Sequence, residues 1–355
     1  MTEKQSPLPQ PLYTGELGSP EPLPRDGVGQ PVERHQDALP SEADSRTRPP
    51  ARETRQIPNI AHSLLLLVIA GVSLFVTEIA AFGLVLGMHL FGNESPQALL
   101  RDPRLLVPSM AISYLIAGAL SWAIFTNLWR QPFSRGLRWN GAAIRRRLYI
   151  FLGLGVLLSF AVQLLSNYLP IPKTLPIDDF FRTRTDVWIV AVFGTFIAPA
   201  FEELAFRGFL FPSLASAWDW VTKRDSSGWA RRGLAPNTYR IGSYAPNLDS
   251  DARGEAGSIE TADPVIPDPQ WSGGALVFSA SLTSIGFALL HADQLGHSWA
   301  PLLVLFTVSL VLCLVRLRAH SLAASTLVHA AYNGAIFVLL FYGTEGFRHL
   351  EKLNQ

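Results

Sequence analysis

Apolar residues in this chain fall into long unbroken blocks, at about 60–91, 105–129, 148–169, 187–217, 271–291, 299–317 and 320–343. Each block can hold the roughly 20 residues that a membrane-crossing helix needs. None alternates with period two, as a half-buried strand would. The pattern therefore predicts an all-α, polytopic membrane bundle of about seven transmembrane helices. Residues 1–59 break the pattern: they are rich in Pro, Glu, Arg, Gln and Ser, with little apolar clustering. They read as a disordered tail with no apolar signal core. The stretch 218–270 is long, polar and Gly/Ser/Asp/Arg-rich, and reads as an insertion between two parts of a bundle spanning 60–343. Residues 344–355 read as a C-terminal tail.

Composition agrees with the pattern: 48% of residues are hydrophobic and 16% are charged. A net charge of +1 gives no basis for nucleic-acid binding. The single cysteine, Cys313, cannot form an intrachain disulfide. Basic residues alternate between the connections. Arg46, Arg48, Arg52 and Arg55 precede the first block, six arginines fill 130–147, six basic residues lie in 218–270, and Arg316 and Arg318 follow the sixth block. The opposite connections are poorer in Lys and Arg, so the positive-inside rule puts the N-terminus and the 218–270 insertion in the cytoplasm.

Against this background, a few polar residues stand out. Glu202, Glu203 and Arg207 lie within the fourth block, where each ionisable group costs on the order of 3 kcal/mol at mid-membrane and is a functional candidate for that reason. Glu203 and Arg207 are i,i+4 neighbours and can pair, and a structural ion pair is their plainer reading. Glu202 points about 100° away from Glu203 and lacks such a partner. Two more polar sites follow: His291, after Phe287, and His329 with Asn333 one turn on. Taking 187–217 as one helix puts Glu202 near mid-depth, with His329 about 8 and Asn333 about 12 residues into their own helix, and leaves His291 about 7 Å too deep. Glu78, inside the first block, reads as a structural acid facing the bundle interior.

The ordered set Glu202-Glu203-x-x-x-Arg207, Phe287-x-x-x-His291 and His329-x-x-x-Asn333 resembles the CPBP family, the CAAX prenyl protease 2 and lysostaphin resistance protein A-like intramembrane endopeptidases. Arg318-Ala319-His320-Ser321-Leu322 resembles the lead-in to the third motif. The resemblance covers 187–217 and 271–340, and the 218–270 insertion departs from the short connection usual in the family. It implies hydrolysis of a peptide bond in a membrane-associated substrate by an activated water. Glu202 would be the general base and His291 would hold the same water. His329 and Asn333 would donate to the oxyanion, while Glu203 and Arg207 would orient the base. The family is described both as metalloprotease and as glutamate-dependent protease. Glu202, His291 and His329 are a possible zinc set, although the glutamate description favours no required cofactor. The expected location is a bacterial inner membrane. A noncatalytic scaffold or bacteriocin-immunity-type protein on the same fold is the alternative.

Overall fold

In a computed structural model, described here for residues 58–91, 95–99, 102–226 and 271–351, seven helices are long and apolar enough to cross a membrane. These are α1 (Ile60–Met88), α2 (Pro103–Trp129), α3 (Gly141–Ser166), α4 (Arg184–Thr222, continued to Ser226), α5 (Gly273–Leu290), α6 (Trp299–Ala319) and α7 (Leu322–Gly343). No strand occurs among the described residues. The protein is an all-α polytopic membrane bundle. The expected N-terminal tail, except Pro58 and Asn59, lies outside the described residues, as does 227–270 of the expected insertion. Residues 218–226, read as the start of that insertion, instead continue α4 as helix.

The helix ends follow from local chemistry. Asn59 caps α1 by accepting from the His62 N–H, and Asp102 caps α2 ahead of Pro103, whose missing N–H costs nothing at the first turn. Ser272 caps α5. Helices α1, α2 and α6 stop at His89, Arg130 and His320, each in the left-handed conformation that turns the chain out of the helix.

Packing explains the pattern of small residues. On α2, Ser109, Ser113, Ala117 and Ser121 recur every four residues and are buried, followed in register by Phe125 and Trp129. Such a stripe lets a neighbouring backbone approach closely, and α1 packs there. Gly155 does the same for α3 against α7. A Cβ at this position would stand 2.5 Å from the Val328 carbonyl and 2.6 Å from the Ala331 Cβ. The outward faces carry exposed Leu, Val, Ile, Phe and Trp, as a lipid solvent permits.

Two sequence expectations change here. Glu78 is exposed on the outer face of α1, because α1 packs through Leu66, Ile69, Ser73 and Thr77 and Glu78 stands off that stripe. Of the expected C-terminal tail, 344–351 is folded back: Phe347 is 2% exposed, with its ring 5.1 Å from Trp188 and 5.2 Å from Phe341.

Candidate active site

The helix that carries both glutamates is not a plain α-helix. In α4 the six-residue α-helical piece Ala198–Glu203 lies between two π-helical turns, Phe193–Ile197 and Leu204–Leu210. Pro199 accounts for the first. It has no N–H, so one upstream carbonyl loses its helical donor. The Ala198 N–H bonds to the Phe193 carbonyl, one residue further back than in an α-helix. The Gly194 carbonyl instead accepts from the Asn333 side-chain amide on α7, at 2.7 Å. Each π turn accommodates an extra residue and re-aims the side chains beyond it. The α-helical piece beyond the first turn carries both Glu202 (9% exposed) and Glu203 (0%) inward.

Glu203 belongs to a buried, tightly bonded cluster, in which its Oε1 is shared by two partners while its Oε2 and the Arg207 Nε have no hydrogen-bond partner. Its Oε1 accepts from Arg207 at 2.9 Å and faces His329 Nδ1 at 3.1 Å. Arg207, also 0% exposed, donates to the Ser309 carbonyl at 3.0 Å and hydroxyl at 2.6 Å on α6, and stands 4.8 Å over the Phe287 ring of α5. One buried carboxylate–guanidinium pair thus ties four helices together. The bonds to Ser309 and His329 offset part of the cost of burying the charge pair.

Glu202 is placed differently. Its Oε1 lies 3.9 Å from His291 Nε2 and its Oε2 lies 3.7 Å from His329 Nε2. Both imidazoles are oriented from behind. His291 Nδ1 is 2.9 Å from the Phe287 carbonyl, and His329 Nδ1 faces Glu203. Each of these partners is an acceptor, so both Nδ1 atoms carry hydrogen, and both Nε2 atoms are turned toward Glu202. The carboxylate of Glu202 thus faces two imidazole nitrogens at separations slightly too long for direct hydrogen bonds.

His291 reaches this point because of where α4 and α5 are clamped. Asp219 accepts from both the backbone and the hydroxyl of Ser272. Glu202 is 17 residues before Asp219, and His291 is 19 residues after Ser272, about 26 Å and 29 Å along antiparallel ideal helices. The depth mismatch disappears because α5 starts at Gly273, ends at Leu290 and leaves His291 as its C-terminal cap. Extension of α4 to Ser226 provides the clamp.

All six residues singled out from the sequence therefore lie on three adjoining helices. Asn333, expected beside the reacting atoms, has its observed bond to the α4 backbone instead. Tyr114 of α2 was not singled out. It stacks on Phe201 at 4.3 Å and lies near enough to Glu202 to interact with its charge. A lone phenol among the small residues of α2 was its only sequence signal.

The donor types of Glu202, His291 and His329 suit zinc, but their spacing does not. Two ligands at about 2.0–2.1 Å from one tetrahedral ion stand about 3.3 Å apart, against 3.7 and 3.9 Å here. Among the described residues no three His, Cys, Asp or Glu side chains are gathered as a metal cluster.

Comparison with family models matches residues 184–229 and 267–335 to the family described as type II CAAX prenyl endopeptidase, Rce1-like. The two matched segments contain all six site residues, and the break between them falls inside the interval read as an insertion. Comparisons with curated proteins and with solved structures return no match.

Proposed function

Because the chain belongs to the CPBP family, whose matched model is one of CAAX-type membrane proteases, we propose that it is an intramembrane endopeptidase working through a glutamate-activated water. The observation that carries this reading is the placement of Glu202 between two histidine Nε2 atoms, each ring oriented by a separate acceptor. A water held there gives a proton to Glu202 as its oxygen attacks the scissile carbonyl carbon. The carbon–nitrogen bond then breaks, and the carboxyl proton of Glu202 passes to the leaving nitrogen. His291 holds the water through Nε2. His329, steadied by Glu203, faces the developing oxyanion and supplies an N–H to it when protonated. Asn333 acts as a positioning residue by fixing the π turn ahead of Glu202. Glu203 and Arg207 keep the helix in register.

The substrate class is a membrane-associated peptide or protein, and no cofactor is assigned a step. The arginine distribution supports a cytoplasmic N-terminus and a cytoplasmic 218–270 interval, and the proposed location is a bacterial inner membrane. Labelling of a cysteine at position 240, on a Cys313→Ala background, by an impermeant reagent added outside would reverse that orientation.

The deciding experiment exposes a peptide library to the purified full-length protein beside Glu202→Gln, with chelator and zinc-readdition arms. Cleavage by the wild-type chain alone, surviving chelation, is expected. Cleavage lost to chelator and restored by zinc would make Glu202, His291 and His329 ligands instead. Absence of cleavage in both proteins would favour the noncatalytic scaffold.

A further inference from the structure

On the back of α4 lies a cavity of about 690 Å³, lined by Trp122, Phe133, Leu137, Trp139, Leu204 and Leu322 among others, with Arg130 at its edge. It lies within the size range of ligand-binding cavities, roughly 300–1,000 Å³. It is distinct from the Glu202 site. Its α4 contributors, Ala200 and Leu204, each stand two residues from Glu202, which points about 200° away on a helix. The walls are almost wholly apolar, and two of them, Trp122 and Trp139, are 61% and 45% exposed.

Charge identifies the occupant. Arg130 ends α2 in the left-handed conformation and is exposed beside the cavity. Residues 130–147 hold six arginines, and no Asp or Glu occurs anywhere from Pro103 to Ile177. An apolar chamber with one exposed guanidinium, Arg130, at a helix end matches an acyl chain joined to an anionic headgroup, and basic pockets between membrane helices bind such lipids. A peptide substrate would need access to Glu202, on the other face of α4. A second protein helix would meet the Arg130 guanidinium where it wants an apolar partner. We infer that this cavity binds one anionic phospholipid, its phosphate on Arg130 and one acyl chain between α2 and α4.

The inference does not depend on proteolysis. Its test uses the purified full-length chain in detergent, titrated with phosphatidylglycerol bearing brominated acyl chains and with phosphatidylcholine of matched chains, while tryptophan fluorescence is read. Saturable quenching at several-fold lower phosphatidylglycerol concentration is expected, and the saturable part should vanish in Trp122→Phe/Trp139→Phe. Arg130→Gln should weaken phosphatidylglycerol about fivefold, the effect of one juxtamembrane basic residue, and leave phosphatidylcholine unchanged. Arg130→Lys should retain the preference and guards against a folding artefact. Glu202→Gln should bind lipid as the wild type does, whatever its peptidase activity. Equal quenching by both lipids, or a preference that survives Arg130→Gln, would overturn the site. Competition by glycerophosphoglycerol without acyl chains, as strong as by the lipid, would leave only a headgroup contact and overturn the acyl-chain assignment.

Discussion

Glu202 and Glu203 are adjacent in sequence and inhabit opposite environments. Around Glu203 every neighbour is close: Arg207 at 2.9 Å, His329 at 3.1 Å, and Ser309 holding the guanidinium from α6. Around Glu202 the nearest imidazole nitrogens stand off at 3.7 and 3.9 Å, and His291 retains partial exposure. The first environment commits Glu203 Oε1 and both terminal guanidinium nitrogens of Arg207 to bonds within α4 and to α6 and α7. The second leaves the Glu202 carboxylate facing two imidazole nitrogens beyond direct hydrogen-bonding distance. The difference shows how a fold can keep one carboxylate available inside a membrane, by devoting its neighbour to holding the helices still.

The strongest way to break this comparison is Glu203→Gln. It leaves Arg207 without its charge partner, and removing one member of a buried pair costs about 3–5 kcal/mol. A large fall in melting temperature together with loss of turnover is expected, and a dead variant with wild-type melting would exchange the roles of the two glutamates. Glu202→Gln should keep its melting temperature while losing at least about 100-fold in turnover, the scale on which a general base acts. An unfolded Glu202→Gln would show that this side, too, is structural.

Two smaller substitutions sharpen the contrast. Asn333→Ala orphans the Gly194 carbonyl, a loss of about 1–3 kcal/mol, and should reduce turnover and stability together, since its effect runs through the π turn. Ser309→Ala removes only the hydroxyl bond to Arg207 and leaves the Ser309 carbonyl in place. A hydrogen bond to a charged group is worth about 1.5–3 kcal/mol, and the retained partner should keep the loss near the lower end, with turnover nearly unchanged. Both are measured as melting temperature against turnover.

Asp102 provides a reference remote from either glutamate. The side-chain bond to Arg104 holds its carboxyl below the usual carboxylate range. A depressed folded-state value means that the stabilisation is present above the unfolded value, about 3.9, and is lost as pH falls through the lower folded one. Asp102→Ala should cost about 1 kcal/mol near neutrality through loss of the α2 cap. That difference in melting should close as the medium is acidified. A difference that persisted at low pH would show that the cap does not depend on the charge.

Much of this was legible from the chain alone. Seven apolar blocks announce seven spanning helices, because a bilayer accepts few other structures and length with hydropathy nearly fixes them. The i,i+4 spacing of Glu203 and Arg207 announces their pair, because it is a local helical property. Ionisable groups in apolar blocks announce the site, because placing them there is costly.

What only the tertiary structure decided were quantities set by more than one helix. Periodicity showed that Glu78 sits in a helix but not which face packs, and α1 turned it outward. The level of His291 depended on the Asp219–Ser272 clamp, whose partners are 53 residues apart in sequence. The use of Asn333 depended on a carbonyl made available by Pro199 on another helix. The anionic-lipid cavity is invisible in any one segment, because α2, the 130–139 connection and the back of α4 each supply one wall. Sequence fixes what each helix can offer through local geometry and transfer free energy. Which offers meet is settled by long-range packing, where small residues, caps and clamps choose one register from many of similar hydrophobicity.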